Sequence, residues 1–117
     1  MDNNEFKELV LGAIDKLEKQ GVPSKMGEGC FYLDKKKGHC CIVGHMMPDD
    51  ETRKAADDMP NGAIYTLWED EFEWALQFHL HQLEVLSELQ KLHDDVLVGE
   101  SVVEACQKMR EVVSEME

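Results

Sequence analysis

The sequence lacks an apolar run of about 18 residues, the length that a helix needs to span a membrane. Its first ten residues, MDNNEFKELV, lack the basic and apolar regions of a secretory signal. The P-loop and the G-x-G-x-x-G, H-E-x-x-H and G-x-S-x-G motifs are also missing. These absences predict a cytoplasmic protein that is not an enzyme and has no catalytic residues.

Basic residues are scarce, with 12 Lys and Arg against 25 Asp and Glu, so the net charge is −13. A field of this sign repels nucleic acid and anionic membranes and favours partners with basic surfaces. Carboxylates cluster at residues 49–51, 57–58 and 69–73, and carboxylates along helices can imitate the phosphates of a duplex. The candidate partner-binding residues are Glu69, Asp70, Glu71, Glu73, Asp57 and Asp58. The alternative is a solvated surface that serves solubility alone.

The 117 residues, 43% of them hydrophobic, predict a single domain over residues 1–117 with one modest core. Helical periodicity and capping residues predict a first helix between Asp2 and Gly21 and a last helix after Ser101. Residues 66–93 are also helical in pattern, but periodicity does not decide between one helix and two. Trp68, Trp74 and Phe78 point in several directions, which indicates burial or a partner surface around this stretch.

Two short runs, CFYL from Cys30 and HCCIV from His39, are rich in aromatic, β-branched and cysteine residues, which favour strands. Residues 34–38 between them have turn chemistry. We therefore predict an α+β fold: a mostly helical domain with one short antiparallel β-hairpin, at about residues 30–43, packed among about four helices.

The four cysteines include no C-x-x-C pair, and in a reducing compartment we expect thiols or metal ligands rather than disulfides. Cys41 and His45 lie four residues apart, Cys30 lies on the predicted partner strand, and His93 is a candidate fourth ligand. Thiolate and imidazole are the ligands that zinc prefers. Zinc is therefore the candidate cofactor, and the alternative is a set of buried thiols.

Three blocks carry a resemblance: Cys30-Phe31-Tyr32, then Gly38 to Asp49, then Leu86 to Asp94. They resemble a group of small, largely uncharacterised proteins of tailed phages and prophages. The pattern of that group is roughly C-x-Y, G-x-x-C-x-x-G-[HC]-x-x-P-[DE] and L-Q-x-x-H-D. The resemblance covers about residues 28–97, with Cys40 extra to the pattern. It implies a phage setting and one site that draws on both ends of the pattern, from Cys30, Cys41, His45 and His93.

Three functions follow as hypotheses. The first is an acidic phage-type protein that inhibits a host or defence protein, such as a restriction or CRISPR-type nuclease, by occupying a basic nucleic-acid groove. The second is a zinc-stabilised structural or regulatory module without inhibitory activity. The third is a thiol- or metal-dependent enzyme. The first would act in the host cytoplasm without binding nucleic acid or membrane, and its oligomeric state is open, with a homodimer as one option.

Overall fold

The computed structural model of the chain describes residues 1–22, 32, 39–59, 64–95 and 101–116. These residues form six α-helices and one 3-10 helix. In chain order they are α1 (Asn3–Gln20), α2 (Ile42–Met46), α3 (Asp50–Asp57), α4 (Ile64–Glu69), the 3-10 helix (Glu73–Gln77), α5 (Leu80–Asp95) and α6 (Val102–Ser114). None of the described helices is long and apolar enough to cross a membrane.

The first and last predicted helices are confirmed, and their caps are the predicted ones. Asp2 Oδ1 accepts a hydrogen bond from the Glu5 amide at 2.9 Å, and Gly21 ends α1 with a left-handed φ of 75°. At the other end of the chain, the Ser101 hydroxyl accepts from the Glu104 amide at 3.1 Å. Local signals were sufficient here because both helices carry an apolar stripe on one face.

The predicted hairpin is wrong, since no described residue lies in a β-strand and residues 42–43 of the expected second strand instead begin the short helix α2. The Cys41 thiol caps this helix by accepting a hydrogen bond from the Gly44 amide at 3.3 Å. Ile42 and Val43 favour a strand by propensity, yet both are fully buried in α2. Tertiary packing therefore overrides local preference. Residues 30, 31 and 33–38 of the predicted hairpin lie outside the described residues.

The stretch 66–93 is not one continuous helix: the two α-helices α4 and α5 are separated by the 3-10 helix, with turns on both sides of it. The turn after α4 is a Schellman motif: the Phe72 amide donates to Leu67 O at 2.8 Å and the Glu71 amide donates to Trp68 O at 3.2 Å. Glu71 takes the left-handed position there, with φ 59°. The interruption between the 3-10 helix and α5 lets the Phe78 side chain point into the core. There its ring packs edge-to-face against Phe6, with the ring centroids 5.8 Å apart.

The core lies between α1, α5 and α6, with α2 packed against α1 and α5. Phe6, Ile14, Leu86 and Met109 are fully buried in it. On the surface, Arg110 of α6 forms ion pairs with Asp15 and Glu18 of α1. This arrangement leaves α3 and the 3-10 helix beside an open groove on the surface of the bundle.

Candidate functional site

The Gln20 side chain, at the end of α1, organises the cysteine- and histidine-rich region. Its amide nitrogen donates to Cys40 O at 3.0 Å and to Val22 O at 2.7 Å, while its Oε1 accepts from the Cys40 amide at 2.9 Å. The same Oε1 lies 2.9 Å from His45 Nε2. One side chain therefore holds the backbone before α2 and the histidine within it.

The hydrogen-bond pattern determines the tautomer of His45. Because Gln20 Oε1 can only accept, His45 Nε2 must carry the proton, and Nδ1 keeps its lone pair. Burial lowers the pKa of His45 to about 4, with smaller contributions from the positive charges of Arg53 and Lys16 and from His93. The ring is therefore neutral at neutral pH, which suits a structural hydrogen-bond donor.

Gly44, Asp49 and Arg53 have structural roles in the same region. A Cβ on Gly44 would lie 2.1 Å from the carbonyl oxygen of Tyr32, so only glycine allows the two backbones to meet. Asp49 caps α3 by accepting from the Thr52 amide at 2.8 Å. Arg53 donates to Gly44 O at 2.6 Å and to Met47 O at 2.9 Å, and so satisfies carbonyls at the end of α2. These contacts place Gly44, Asp49 and Arg53 in one folding unit around α2.

The structure does not assemble the predicted zinc ligands among the residues it describes. Cys41, His45 and His93 are described, but no three metal-ligating side chains within the described ranges could hold one ion. Since structural zinc takes four ligands, these residues do not fit a zinc centre by themselves. Cys30 lies outside the described residues, so its part in the site stays a prediction. Metal analysis of protein purified without added zinc tests it.

The side chains of Cys40, Cys41 and Cys106 are buried. Burial raises the pKa of the Cys40 thiol, and it raises that of Cys106 to about 11. Cys106 lies in the core, with its Sγ 3.8 Å from Ile14 O, as its position on the apolar face of the last helix predicts. Cys40 and Cys106 are therefore protonated and unsuited to act as nucleophiles.

The predicted partner-binding carboxylates are mostly at the surface. Glu69, Asp70, Glu71 and Glu73 are exposed around the junction of α4 and the 3-10 helix, and Asp58 is exposed at the end of α3. Asp57 differs, because its Oδ1 accepts a hydrogen bond from the Tyr32 amide at 2.8 Å. We therefore assign Asp57 to the folding unit around α2 rather than to a partner surface.

An open groove of about 450 Å³ lies between the start of α3 and the 3-10 helix. We call it the acidic groove, and its lining consists of Asp49, Glu51, Thr52, Ala55, Phe72, Glu73 and Trp74. It brings the acidic cluster at residues 49–51 against the cluster at 69–73. The sequence shows each cluster separately, but neither their convergence nor the aromatic residues between them follows from local pattern.

A second groove, of about 500 Å³, lies between α4 and α5 and is called the α4–α5 groove. It is lined by Tyr65, Glu84, Ser87, Glu88, Lys91 and Leu92. Lys91 places a positive charge beside its two glutamates. The acidic groove has no Lys or Arg among its lining residues, so its charge is of one sign.

The chain was compared with known protein families, with curated proteins and with solved structures, and it matches none of them. The region around α2 and the acidic groove are therefore the basis for its proposed function.

Proposed function

We propose that this protein is a small acidic inhibitor of phage type. It binds a host or defence protein, such as a restriction or CRISPR-type nuclease, and occupies a basic surface that otherwise binds nucleic acid. The observation that carries the proposal is the acidic groove, where carboxylates from two distant segments converge beside two partly buried aromatic residues, Phe72 and Trp74. Aromatic residues are enriched at the centres of protein interfaces.

The charges in the acidic groove are available to a partner. Glu51 and Glu73 are exposed and form no ion pair with any residue in the described part of the chain. Asp49 keeps its negative charge, because the hydrogen bonds from Thr52 lower the pKa of its carboxyl. The net charge of −13 adds long-range attraction to a basic surface.

The test is inhibition of DNA binding and cleavage by a panel of purified restriction and CRISPR-type nucleases. We expect the protein to bind a free nuclease, to compete with its nucleic acid, and to lose affinity steeply between about 50 and 200 mM salt. Failure to inhibit any nuclease, or inhibition that salt and bound DNA leave unchanged, would overturn the proposal.

The matched variants compare the two grooves. Glu51→Lys with Glu73→Lys reverses two charges in the acidic groove, and Glu84→Lys with Glu88→Lys reverses two in the α4–α5 groove. All four side chains are exposed, so the two double variants change net charge equally at little risk to the fold. We expect only the first pair to abolish inhibition. Equal losses would mean that net charge, and not the acidic groove, does the binding.

A further inference from the structure

We propose that the acidic groove seats an arginine side chain of the partner, with the guanidinium against Trp74 and its N–H groups directed to Glu51 and Glu73. This inference rests on the proposed function and specifies the chemical group that the groove recognises. It follows from three properties of the groove: its aromatic wall, its unpaired carboxylates and its fixed backbone.

The aromatic wall is held in place by the core. Phe72 and Trp74 are partly buried and pack against it. The rings of Trp74 and Phe78 pack edge-to-face with their centroids 5.0 Å apart, and Phe78 packs in the same way against Phe6. Trp74 therefore offers a pre-organised ring, and an indole face is the best aromatic surface for a cation.

The carboxylates are without a resident cation in the described part of the groove. The nearby Arg53 is already used, because it donates to Gly44 O, Met47 O and Asp50 Oδ1. Glu51 and Glu73 approach the groove from its two sides, α3 and the 3-10 helix. An incoming cation would therefore meet negative charge on both sides of the aromatic wall.

The backbone on both sides of the groove is anchored. Asp49 caps α3 through the Thr52 amide and hydroxyl, at 2.8 and 2.7 Å. The Schellman turn at Glu71 places Phe72 at the start of the other wall. A site with anchored walls loses little conformational entropy when a side chain enters.

Arginine suits these features better than the alternatives. Its planar guanidinium can stack on an aromatic face while its edge donates to carboxylates, whereas the lysine ammonium is a strongly hydrated point charge. An apolar side chain would leave the carboxylates desolvated and unpaired. A volume of about 450 Å³ also lies within the usual range for a small-ligand site.

The experiment follows fluorescence of the full chain carrying Trp68→Phe, in which Trp74 is the only tryptophan. The probes are two short peptides of equal length and charge, one with arginines and one with lysines. We expect the arginine peptide to change Trp74 emission and to bind at least about fivefold more tightly than the lysine peptide.

Three further variants locate the binding. Glu51→Gln with Glu73→Gln should weaken the arginine peptide at least about tenfold, while Glu84→Gln with Glu88→Gln should leave its affinity unchanged. Trp74→Leu, followed by calorimetry because it lacks the reporting indole, should remove the preference for arginine over lysine. If circular dichroism shows that Trp74→Leu is unfolded, a second measurement takes the place of this variant. It is a cross-peak between guanidinium and indole protons in the NMR spectrum of the unsubstituted protein with the arginine peptide bound.

Equal affinity for both peptides, or arginine binding that leaves Trp74 emission unchanged, would overturn the inference. The proposed function would stand in that case if the nuclease is still inhibited in a salt-dependent way. Conversely, arginine binding in the groove without inhibition of any nuclease would overturn the proposed function and leave the arginine site.

Discussion

The region around α2 and the acidic groove differ in where their polar groups find partners. Around α2, Gln20 and Arg53 each donate to two backbone carbonyls, and Gln20 also holds His45. In the acidic groove, Glu51 and Glu73 are exposed and have no ion-pair partner among the described residues. Internal pairing indicates a role in the fold, and unpaired surface charge leaves a group free for a partner.

The contrast predicts that substitutions around α2 act on stability, whereas substitutions in the groove act on binding. The largest effect is expected for Gly44→Ala, because its Cβ would lie 2.1 Å from Tyr32 O. We expect a loss of at least about 3 kcal/mol in urea denaturation.

Gly12→Ala is the matched control, since nothing lies within 4 Å of a Cβ at that helical position. It should stabilise the protein by about 0.5–1 kcal/mol through helix propensity. Similar values for the two variants would show that the contact between Gly44 and Tyr32 does not constrain the fold.

The next effect is expected for Gln20→Ala, which removes the hydrogen bonds to Cys40, Val22 and His45 together. Four hydrogen bonds are lost, and because they are exposed or only partly buried we expect each to contribute at the low end of about 0.5–1.5 kcal/mol, which gives a loss of about 2–3 kcal/mol by urea denaturation. Gln107→Ala, at an exposed position of α6, is the control and should change stability by less than about 0.5 kcal/mol. A Gln20 loss as small as that of Gln107 would contradict the organising role of this side chain.

A smaller effect is expected from the protonation of His45. Its folded pKa of about 4 lies below the usual 6.5, so the unfolded chain binds this proton more tightly. The stability is therefore complete above pH 6.5 and falls as the pH drops from 6.5 to 4. We expect His45 to contribute about 1–2 kcal/mol to this fall, because its ring is only partly buried.

The measurement is urea denaturation at pH 7 and pH 4.5. His45→Asn should reduce the difference between the two pH values, while His81→Asn, at an exposed site, should leave it unchanged. If His45→Asn loses as much stability between pH 7 and pH 4.5 as the unsubstituted protein does, the pH dependence belongs to other groups.

A stabilising change of about 1 kcal/mol is expected for Glu71→Gly, because Glu71 occupies a left-handed position, with φ 59°, that glycine adopts without strain. Thermal unfolding compares it with Glu71→Gln, which removes the charge but keeps the side chain. If the two variants have the same Tm, charge rather than backbone conformation would explain the gain.

The smallest effect on stability is expected for Glu51→Gln with Glu73→Gln, within about 0.5 kcal/mol by urea denaturation. This double variant separates a role in binding from a role in stability, because we expect it to lose binding while it keeps stability. A large loss of stability would mean that these carboxylates belong to the fold, as Asp57 does.

Part of this fold could be predicted from local pattern alone. Asp2 and Ser101 begin their helices because their side chains accept hydrogen bonds from free amides of the first turn. Gly21 ends α1 because it adopts the left-handed conformation that turns the chain away from the helix. The burial of Cys106 follows from its place on the apolar stripe of α6. Such features depend on residues within one or two helical turns, so the chain sequence contains them directly.

Residues 39–46 could not be predicted in this way. Their β-branched and cysteine residues favour a strand locally, but Gln20 and Arg53 form hydrogen bonds at the two ends of the short helix, and the Tyr32 backbone lies close against Gly44 within it. Along the chain, Arg53 is 9 residues from Gly44, and Gln20 is 20 residues from Cys40 and 25 from His45. Local propensity therefore gave the wrong element.

The candidate site divides in the same way. The sign of the charge, the acidic clusters and the first and last helices can be read from the sequence, because they depend on composition and on near neighbours. That Glu51 and Glu73 border one groove with Trp74, and that Asp57 is used by the fold, becomes visible in the three-dimensional structure. Both outcomes depend on how separate helices pack, and packing joins residues that no local pattern connects.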